Sequence, residues 1–325
     1  MSTKSVSIII PNYNGKKLLE QNLPYTLKAI NGSHILDFEI IVCDDASIDD
    51  SVAFLEKNYP NIILVTNKVN RGFSSNCNSG INIASKELVL LLNSDVRLSS
   101  NYFESQFKYF EMDDTFGVMS RILDENNQLI DAAKYPEINY YKIDGSKNFI
   151  SADRASSFTL FLSGANALVD RKKLLYIGGF CTAFDPYYYE DLDMGLNAWE
   201  CGFKSYFDPL ATCYHPVSTT IKKENSDKVQ RISLRNKIIV HYFHLTSFGF
   251  GIFFAKTSIK SIALFLGGKK SLFFAVKEFV NNFDTIRFFK QKHLERKSNV
   301  KNTRKLVDLK KLILQNIDRK TINRF

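Results

Sequence analysis

Cysteine is scarce: five occur in 325 residues, and no two stand as Cys-x-x-Cys. That excludes a zinc-ribbon type of site and a disulfide framework, and it fits a reducing compartment. No low-complexity tract and no internal repeat stands out. The chain passes from Lys4 straight into Val6–Ile10, without a long apolar h-region or a small-residue cleavage site. The sequence therefore reads as cytoplasmic, with no signal peptide. Acidic residues are sparse in one region only. From Lys256 to Phe325 there are 18 Lys and Arg against 5 Asp and Glu, within a chain of net charge +9. Such asymmetry points to an anionic partner, nucleic acid or a membrane surface, or to a solvated face.

What is abundant is apolar and aromatic. The chain is 45% hydrophobic, with 27 Phe and 15 Tyr, enough for one large domain or a domain with an appendage. The runs Val6–Ile10, Phe38–Cys43, Ile62–Thr66 and Leu88–Leu92 read as buried strands. Lys16–Ile30, Asp50–Asn58 and Ser74–Ala84 between them read as helices. Strands alternating with helices predict a mostly parallel α/β sheet with helices on both faces, and ligands beyond the carboxyl ends of its strands. Two strands end in acids there. Phe38–Cys43 stops at Asp44-Asp45, and Leu88–Leu92 runs into Asn93-Ser94-Asp95. Asn and Asp are also ordinary turn residues, so either reading holds for a single strand end; two acidic ends in one half-domain favour a shared cleft.

Further along, the spacing predicts a helix over Phe103–Glu111 and strands over Phe116–Leu123 and Thr159–Val169. Three tyrosines, Tyr187 to Tyr189, precede Glu190-Asp191-Leu192-Asp193, where the run Leu192–Glu200 predicts a helix opened by acids. The aromatics beside these acids suggest a pocket; the alternative is caps and solvated charge. Ile238–Ala255 holds 18 residues without Asp, Glu, Lys or Arg, the lower limit for a membrane span. It also carries His241, His244 and two glycines, and Lys256, Lys260, Lys269 and Lys270 interleave with apolar residues after it. Helices lying in the headgroup region fit best, ahead of a soluble helical cap or partner surface and of a true span. Leu306, Leu309, Leu312, Ile313 and Ile317 predict a last amphipathic helix. Nucleic acid fits poorly, because basic residues alternate with aliphatic and Phe residues and no recognised binding motif is present.

The order of the motifs resembles family 2 glycosyltransferases with the GT-A fold. The residues that carry the likeness are Val6-Ser-Ile-Ile-Ile-Pro-Asn-Tyr-Asn14, Val42-Cys-Asp-Asp-Ala-Ser-Ile-Asp49, Asn70-Arg-Gly-Phe-Ser-Ser-Asn-Cys-Asn78, Leu92-Asn-Ser-Asp95, Ser163-Gly-Ala165 and Glu190-Asp-Leu-Asp193, with His215 following. The pattern is nearest to the rhamnosyltransferase-like enzymes of bacterial surface polysaccharides. It implies a GT-A catalytic domain over 1–228, a Rossmann-like, mostly parallel sheet flanked by helices, with a nucleotide-sugar half over about 1–100 and an acceptor half over about 101–228. A basic, amphipathic helical extension would follow over 229–325, peripheral to the inner face of the cell membrane.

The resemblance also assigns roles. Pro11, Tyr13, Asn14, Asp44, Asp45, Asn70, Arg71, Gly72, Asn93 and Ser94 would bind a nucleoside-diphosphate-sugar donor. Arg71 is equally a plain surface arginine, and Asn76 and Asn78 would support the loop before them. Asp95 and His215 would hold a divalent cation, Mn2+ or Mg2+, although His215 also reads as a hydrogen-bonded loop histidine. Asn93 stands where the first acid of Asp-x-Asp is usual, which weakens the expected metal site. Asp191 would be the general base, with Gly164, Glu190 and Asp193 on the side of a glycan or lipid-linked acceptor. A single base with direct displacement implies inversion. Cys181 stands directly after Gly-Gly-Phe where an acid is usual, so the acceptor loop is expected to be reshaped. A sugar nucleotidylyltransferase would open on a glycine-rich phosphate loop, not Pro-Asn-Tyr-Asn-Gly. A processive synthase would carry Gln-x-x-Arg-Trp, and the one tryptophan, Trp199, lies in another context. A catalytically silent scaffold would not need Asp45, Asp95 and Asp191 together.

Overall fold

The computed structural model describes residues 4–33, 35, 37–151, 155–215, 226–300, 303–315 and 322–324. Four parallel strands lead the chain: β1 (Val6–Asn12), β2 (Phe38–Asp44), β3 (Ile63–Thr66) and β4 (Leu88–Leu92). Between them run α1 (Lys16–Asn31), α2 (Ser51–Asn58) and α3 (Phe73–Ile83). β1 pairs with β2 on one side and β4 on the other, in a register that sets Asn12 beside Asp44. The expected strand ends therefore share one edge of the sheet.

Alternate residues of these strands feed two cores. Ile8, Ile10, Ile40, Val42, Leu88, Leu90 and Leu92 pack with Leu19 and Leu23 of α1. Ile9, Ile41, Cys43, Val89 and Leu91 pack with Cys77 and Ile81 of α3. Both faces are covered, which is why these strands read as unbroken apolar runs and not as alternation.

The second half extends the same sheet with β5 (Arg97–Leu98), β6 (Thr115–Leu123) and β7 (Leu129–Asp131). The short strands β8 (Ala133–Lys134), β9 (Glu137–Ile138), β10 (Ile143–Asp144), β11 (Asn148–Ser151) and β12 (Ser157–Phe158) follow. Then come β13 (Asn166–Asp170), α4 (Arg171–Ile177), α5 (Glu190–Glu200) and β14 (Lys204–Tyr214). The path across the main sheet is β12-β14-β6-β13-β4-β1-β2-β3, with β5 on β14 and β7 on β6. β13 lies antiparallel between β4 and β6, and the rest of the path is mostly parallel.

Two expectations are corrected, and one strand was not expected at all. Phe103–Glu111 yields only a 3-10 turn at Phe107–Glu111; a stretch with four aromatics is a weak helix former. Thr159–Val169 is a strand only from Asn166 onward. β14 was not anticipated: its register slips between Asp208 and Thr212, around Pro209, which masks the strand signal.

The chain ends in α6 (Ser226–His244), α7 (Ser247–Leu266), α8 (Ser271–Asn281), α9 (Phe283–Ser298), α10 (Leu306–Ile313) and β15 (Ile322–Arg324). β15 pairs with β11, and Ile317 lies outside the described residues. The charge-free run Ile238–Ala255 is not one helix. It breaks at Leu245–Thr246, where the Thr246 hydroxyl caps α7 by accepting from the Gly249 N–H. Its first half is core: Ile238, Ile239, Val240 and Phe243 are buried.

These helices are fastened to α5 by buried ion pairs. The His244 ring bonds Asp193 through Nε2 at 2.9 Å and Glu200 through Nδ1 at 2.7 Å. His293 of α9 bonds the other Asp193 oxygen at 3.2 Å, and Lys297 pairs with Glu200. Burial alone would lower the pKa of His244, but the Glu200 and Asp193 carboxylates outweigh it and the pKa is raised. Burial alone would raise Asp193, but His293 and His244 hold it well below the ordinary carboxylate range.

His244→Gln should destabilise the protein by about 3–5 kcal/mol, because it removes the positive charge that two buried carboxylates share. The pH dependence should change with it. The contribution of His244 is whole below about pH 6.5 and is lost as pH rises through its raised folded pKa. That of Asp193 is present above about pH 4 and is lost on acidification. Denaturant titrations of both proteins from pH 5 to 9 would check this. A wild-type stability that does not fall toward alkaline pH relative to the variant would refute the assignment.

Candidate active site

The carboxyl edge of β1, β2 and β4 carries the residues expected to bind a donor. Asp44 accepts from the Asn12 amide at 2.8 Å and from the Ser47 N–H at 2.9 Å. Asp45 turns the other way. One of its oxygens accepts from the backbone N–H groups of Arg71 and Gly72, at 3.0 and 2.9 Å, and the other from the Asn67 amide. Both carboxylates are buried and shape the loops around the edge. Pro11 is half-buried, while Tyr13, Asn14, Asn70 and Arg71 are exposed. Tyr13 leaves 43% of its surface open, so its ring can stack on a base. Asn14 has φ 52°, tolerable for Asn. Its backbone N–H reaches the Ser47 hydroxyl, and its side-chain oxygen accepts from the Ile48 N–H.

At the end of β4, the Asn93 N–H donates to the Ala165 carbonyl at 3.1 Å, which joins this turn to Ser163-Gly164-Ala165. The Ser94 carbonyl accepts from the Asn22 amide. Asp95 is buried with the His215 Nε2 at 3.2 Å, so the two expected metal ligands do meet. The Asn93 side-chain oxygen is buried and unpartnered. These are one carboxylate oxygen, one amide oxygen and one imidazole nitrogen, a set suited to a divalent cation.

Residues expected on the acceptor side pack against the loop expected to hold the donor. Gly72 has φ 99°, and a Cβ there would stand 2.6 Å from the Pro186 Cα. The Phe73 N–H donates to the Pro186 carbonyl at 2.8 Å. The Asp185 carboxylate caps α3 from a distant part of the chain, accepting from the Ser74 N–H at 2.9 Å and from the Ser75 hydroxyl. Burial raises the Asp185 pKa against those bonds, and the nearby Asp45 charge adds to it. Asn78 exchanges two hydrogen bonds with the backbone of Phe180, so it docks the Gly-Gly-Phe turn more than it supports its own loop. Gly164 lies near the Phe73 ring. Cys181 is buried, and burial followed by the Asp193 charge pushes its thiol well above the ordinary value.

Tyr188 and Tyr189 precede α5 with φ of 77° and 74°, a region uncommon for bulky side chains. Glu190 and Asp191 follow at the positive end of the helix, which lessens the cost of bringing acids there. Glu190 is 9% exposed and one of its oxygens has no partner. Burial and the neighbouring Asp191 charge keep its pKa well above normal. Asp191 is half-buried; burial pushes it up to about 6 against the pull of the Lys134 ammonium. Both acids of the pair are thus held away from ionisation, and Asp191 is poised to take a proton near neutral pH.

Asp193 points elsewhere, into the buried pairs with His244 and His293 described above. Those three donor atoms lie within 4.8 Å of one another, close enough for a small cation. His244 carries a carboxylate on each ring nitrogen, however, and that arrangement favours the doubly protonated ring over a lone pair directed at a metal. Sequence reasoning did not single out Asn12, Lys134 or Asp185. Asn12 lies inside the first motif but was given no role, Lys134 and Asp185 sit in none, and each gains its role from a partner 32 or more residues away.

A mostly parallel sheet whose strand ends carry acids along one edge places a ligand site there. The chain belongs to glycosyltransferase family 2: the model described as "Glycosyl transferase family 2" matches residues 7–174. Among curated relatives, the hyaluronan synthase of Pasteurella multocida is 27% identical over 252 residues, 73% of this chain and 24% of that protein. The UDP-Glc:alpha-D-GlcNAc-diphosphoundecaprenol beta-1,3-glucosyltransferase WfaP of Escherichia coli is 31% identical over 142 residues, 42% of this chain and 53% of that protein. The chain thus spans about half or less of these relatives' lengths. Of solved structures, GalNAc-T7 with UDP, GalNAc and Mn2+ aligns at TM-score 0.59 and 14% identity, over 87% of this chain and 58% of that one. The mannosyltransferase PcManGT of Pyrobaculum calidifontis, with GDP-Man and Mn2+, aligns at TM-score 0.54 and 17% identity, over 93% and 89%. At such identities the likeness establishes the fold, GT-A.

Gly72→Ala should lower stability by about 1–3 kcal/mol, since it forces a side chain into the left-handed region against Pro186. Donor affinity should fall with it, as the donor loop moves off Asp45. Thermal unfolding, with titration of UDP and GDP, would check this. An unchanged melting temperature would show that the approach to Pro186 relaxes freely.

Proposed function

We propose that the protein transfers a sugar, with inversion, from a nucleoside-diphosphate-sugar to a hydroxyl of a glycan or lipid-linked acceptor in surface polysaccharide synthesis. The observation that carries this reading is the adjacent Glu190 and Asp191, buried and half-buried at the start of α5 and packed through Asp185 against the loop that Asp45 holds. A silent scaffold has no use for two acids kept in so unfavourable an environment. Asp191 would take the acceptor proton as the hydroxyl attacks, and Glu190, still protonated, would hold the acceptor by donating to it. Tyr13 and the β1 and β2 edge would hold the base and ribose, and Arg71 and Gly72 would lie toward the diphosphate. Asp95, Asn93 and His215 would hold a divalent cation, which when bound offsets charge on the departing diphosphate. A hexose or deoxyhexose is the expected cargo; the sequence pattern favours the deoxyhexose, and the named E. coli relative is a glucosyltransferase.

Residues 1–228 would carry the chemistry, and 229–325 would brace it and meet the membrane. α7 is the one helix among the described residues long and apolar enough to cross a membrane by length and composition, with mean hydropathy 1.4 and 11% of it buried. It exposes Phe248, Ile259, Ile262 and Leu266, and α8 adds Phe274 and Val280. Lys256 and Lys260 on α7, Lys277 on α8, and Lys269 and Lys270 between the two helices are exposed. An apolar surface rimmed by lysines suits the headgroup region of an anionic bilayer. The N-terminus of α7 is pinned to the catalytic half, since a Cβ at Gly249 would lie 2.0 Å from the Tyr140 carbonyl. That favours a peripheral position on the cytoplasmic face.

Incubation with UDP-, GDP- and dTDP-sugars and candidate acceptors, with and without Mn2+, should release nucleoside diphosphate with at least one donor. Asp191→Asn should cut turnover at least about 1,000-fold while sparing donor binding, and the wild-type kcat/KM should rise with pH through about 6. Retained turnover in Asp191→Asn would remove it as the base. Sedimentation with phosphatidylglycerol vesicles should capture the full chain. Reversing Lys256, Lys260, Lys269 and Lys270 to Glu should weaken capture by at least about 1 kcal/mol per charge. Equal capture of both proteins would dismiss the lipid surface.

A further inference from the structure

We propose that Asn236, assisted by Arg235, is the positioning residue that holds the proposed base in place, an inference that rests on the reading of Asp191 above. Asn236 lies on α6, 45 residues beyond Asp191, and is completely buried. Its amide nitrogen donates to three backbone carbonyls: Phe184 at 2.6 Å, Tyr187 at 2.9 Å and Tyr188 at 2.9 Å. An amide has two hydrogens to give, so the three carbonyls share them and converge on one point. The Asn236 oxygen accepts from the Arg235 guanidinium, and the same guanidinium donates to the Asp185 carbonyl at 2.6 Å. Two adjacent residues of α6 therefore hold four carbonyls of a single turn.

That turn needs holding. Tyr188 and Tyr189 both sit at positive φ, a cost of about 1–3 kcal/mol each that lasts only where surrounding structure fixes the backbone. Tyr189 stands at the N-cap of α5 without a side-chain cap bond, so the helix does not fix its own start. Glu190 and Asp191 are the next two residues. The turn also leads back to Asp185, whose carboxylate caps α3 beside Gly72. Release of the carbonyls would let Tyr188 and Tyr189 leave the left-handed region and swing Asp191 relative to the donor loop. Asn236 touches no reacting atom in this account; it acts through the turn. An asparagine suits the task, because Asp at the same size would set an acceptor against three carbonyls.

The test pairs Asn236→Asp and Arg235→Gln with Asp191→Asn in the full-length protein. Hydrogen exchange at amides 184–191 should speed up at least about tenfold in Asn236→Asp, with exchange in β1, β2 and β4 unchanged. In assays with the active nucleotide sugar, kcat should fall about 100-fold, the scale of a 1 Å misplacement. Donor affinity should stay within about threefold, and the limb near pH 6 should move. Arg235→Gln should show the same pattern more weakly, and it carries the test if Asn236→Asp does not fold. Unchanged exchange at 184–191, or donor affinity lost in step with kcat, would overturn the proposal. Loss of turnover in Asp191→Asn beside normal turnover in both α6 variants would defeat the positioning role alone. Normal turnover in Asp191→Asn would defeat the base assignment itself.

Discussion

Three carboxylates within four residues enter the protein at the start of α5, and each meets the low dielectric differently. A buried charge needs a counter-charge, hydrogen bonds or a proton. Asp193 takes the first course, with His244 and His293 against its two oxygens. Glu190 tends to the last, since burial and the Asp191 charge favour its protonated form. Asp191 lies between, half-buried and drawn toward ionisation by Lys134. A helix that began one residue later or turned differently would exchange these environments. The chemistry assigned to Asp191 therefore depends on how α5 is started and how its inner face is anchored.

The same economy governs the joint between the two halves. Asp45 spends its carboxylate on the backbone of Arg71 and Gly72, which places the donor loop. Gly72 then lies so close to Pro186 that no side chain fits, and Asp185 caps α3 one residue earlier. The loop at Arg71-Gly72 and the turn at Asp185-Pro186 are thus one packed unit. Their acids sense one another: Asp45 contributes to the raised pKa of Asp185, and Asp185 to that of Glu190. A bound nucleotide that changes the charge near Asp45 would reach the acceptor pair through space as well as through backbone.

Much of the first hundred residues could be read directly from the sequence, because strands covered on both faces leave unbroken apolar runs and helices between them leave a 3.6-residue rhythm. The four strand ends, the acids on them and the meeting of Asp95 with His215 all follow from that pattern and the order of motifs. The second half was harder to read. β14 hides behind Pro209, and Phe103–Glu111 has helical spacing without helical propensity. Asp193 shares a motif with Asp191 yet faces the opposite way, since neighbours on one helix differ by about 100° in direction. No local signal could disclose that its partners would be His244 and His293. Asp185, Lys134 and Asn236 were missed for the same reason: each is defined by contacts distant in sequence.

The C-terminal helices show why composition alone misjudged their first segment. A stretch free of charge can be lipid-facing or core, and Ile238–Ala255 is some of each, divided by the Thr246 cap. On the α6 side, Asn236 and His244 turn inward to the catalytic turn and to Asp193. On the α7 side, Phe248, Ile259 and Leu266 turn outward. α8 packs on both helices, and α9 returns His293 to the same buried acid. Removal of this region would therefore leave Asp193 and Glu200 as uncompensated buried charges and free the tyrosine turn. α7 and α8, which present the apolar, lysine-rimmed surface, pack on α6, whose His244 meets the buried acids of α5, so the surface and those acids are joined through one helix.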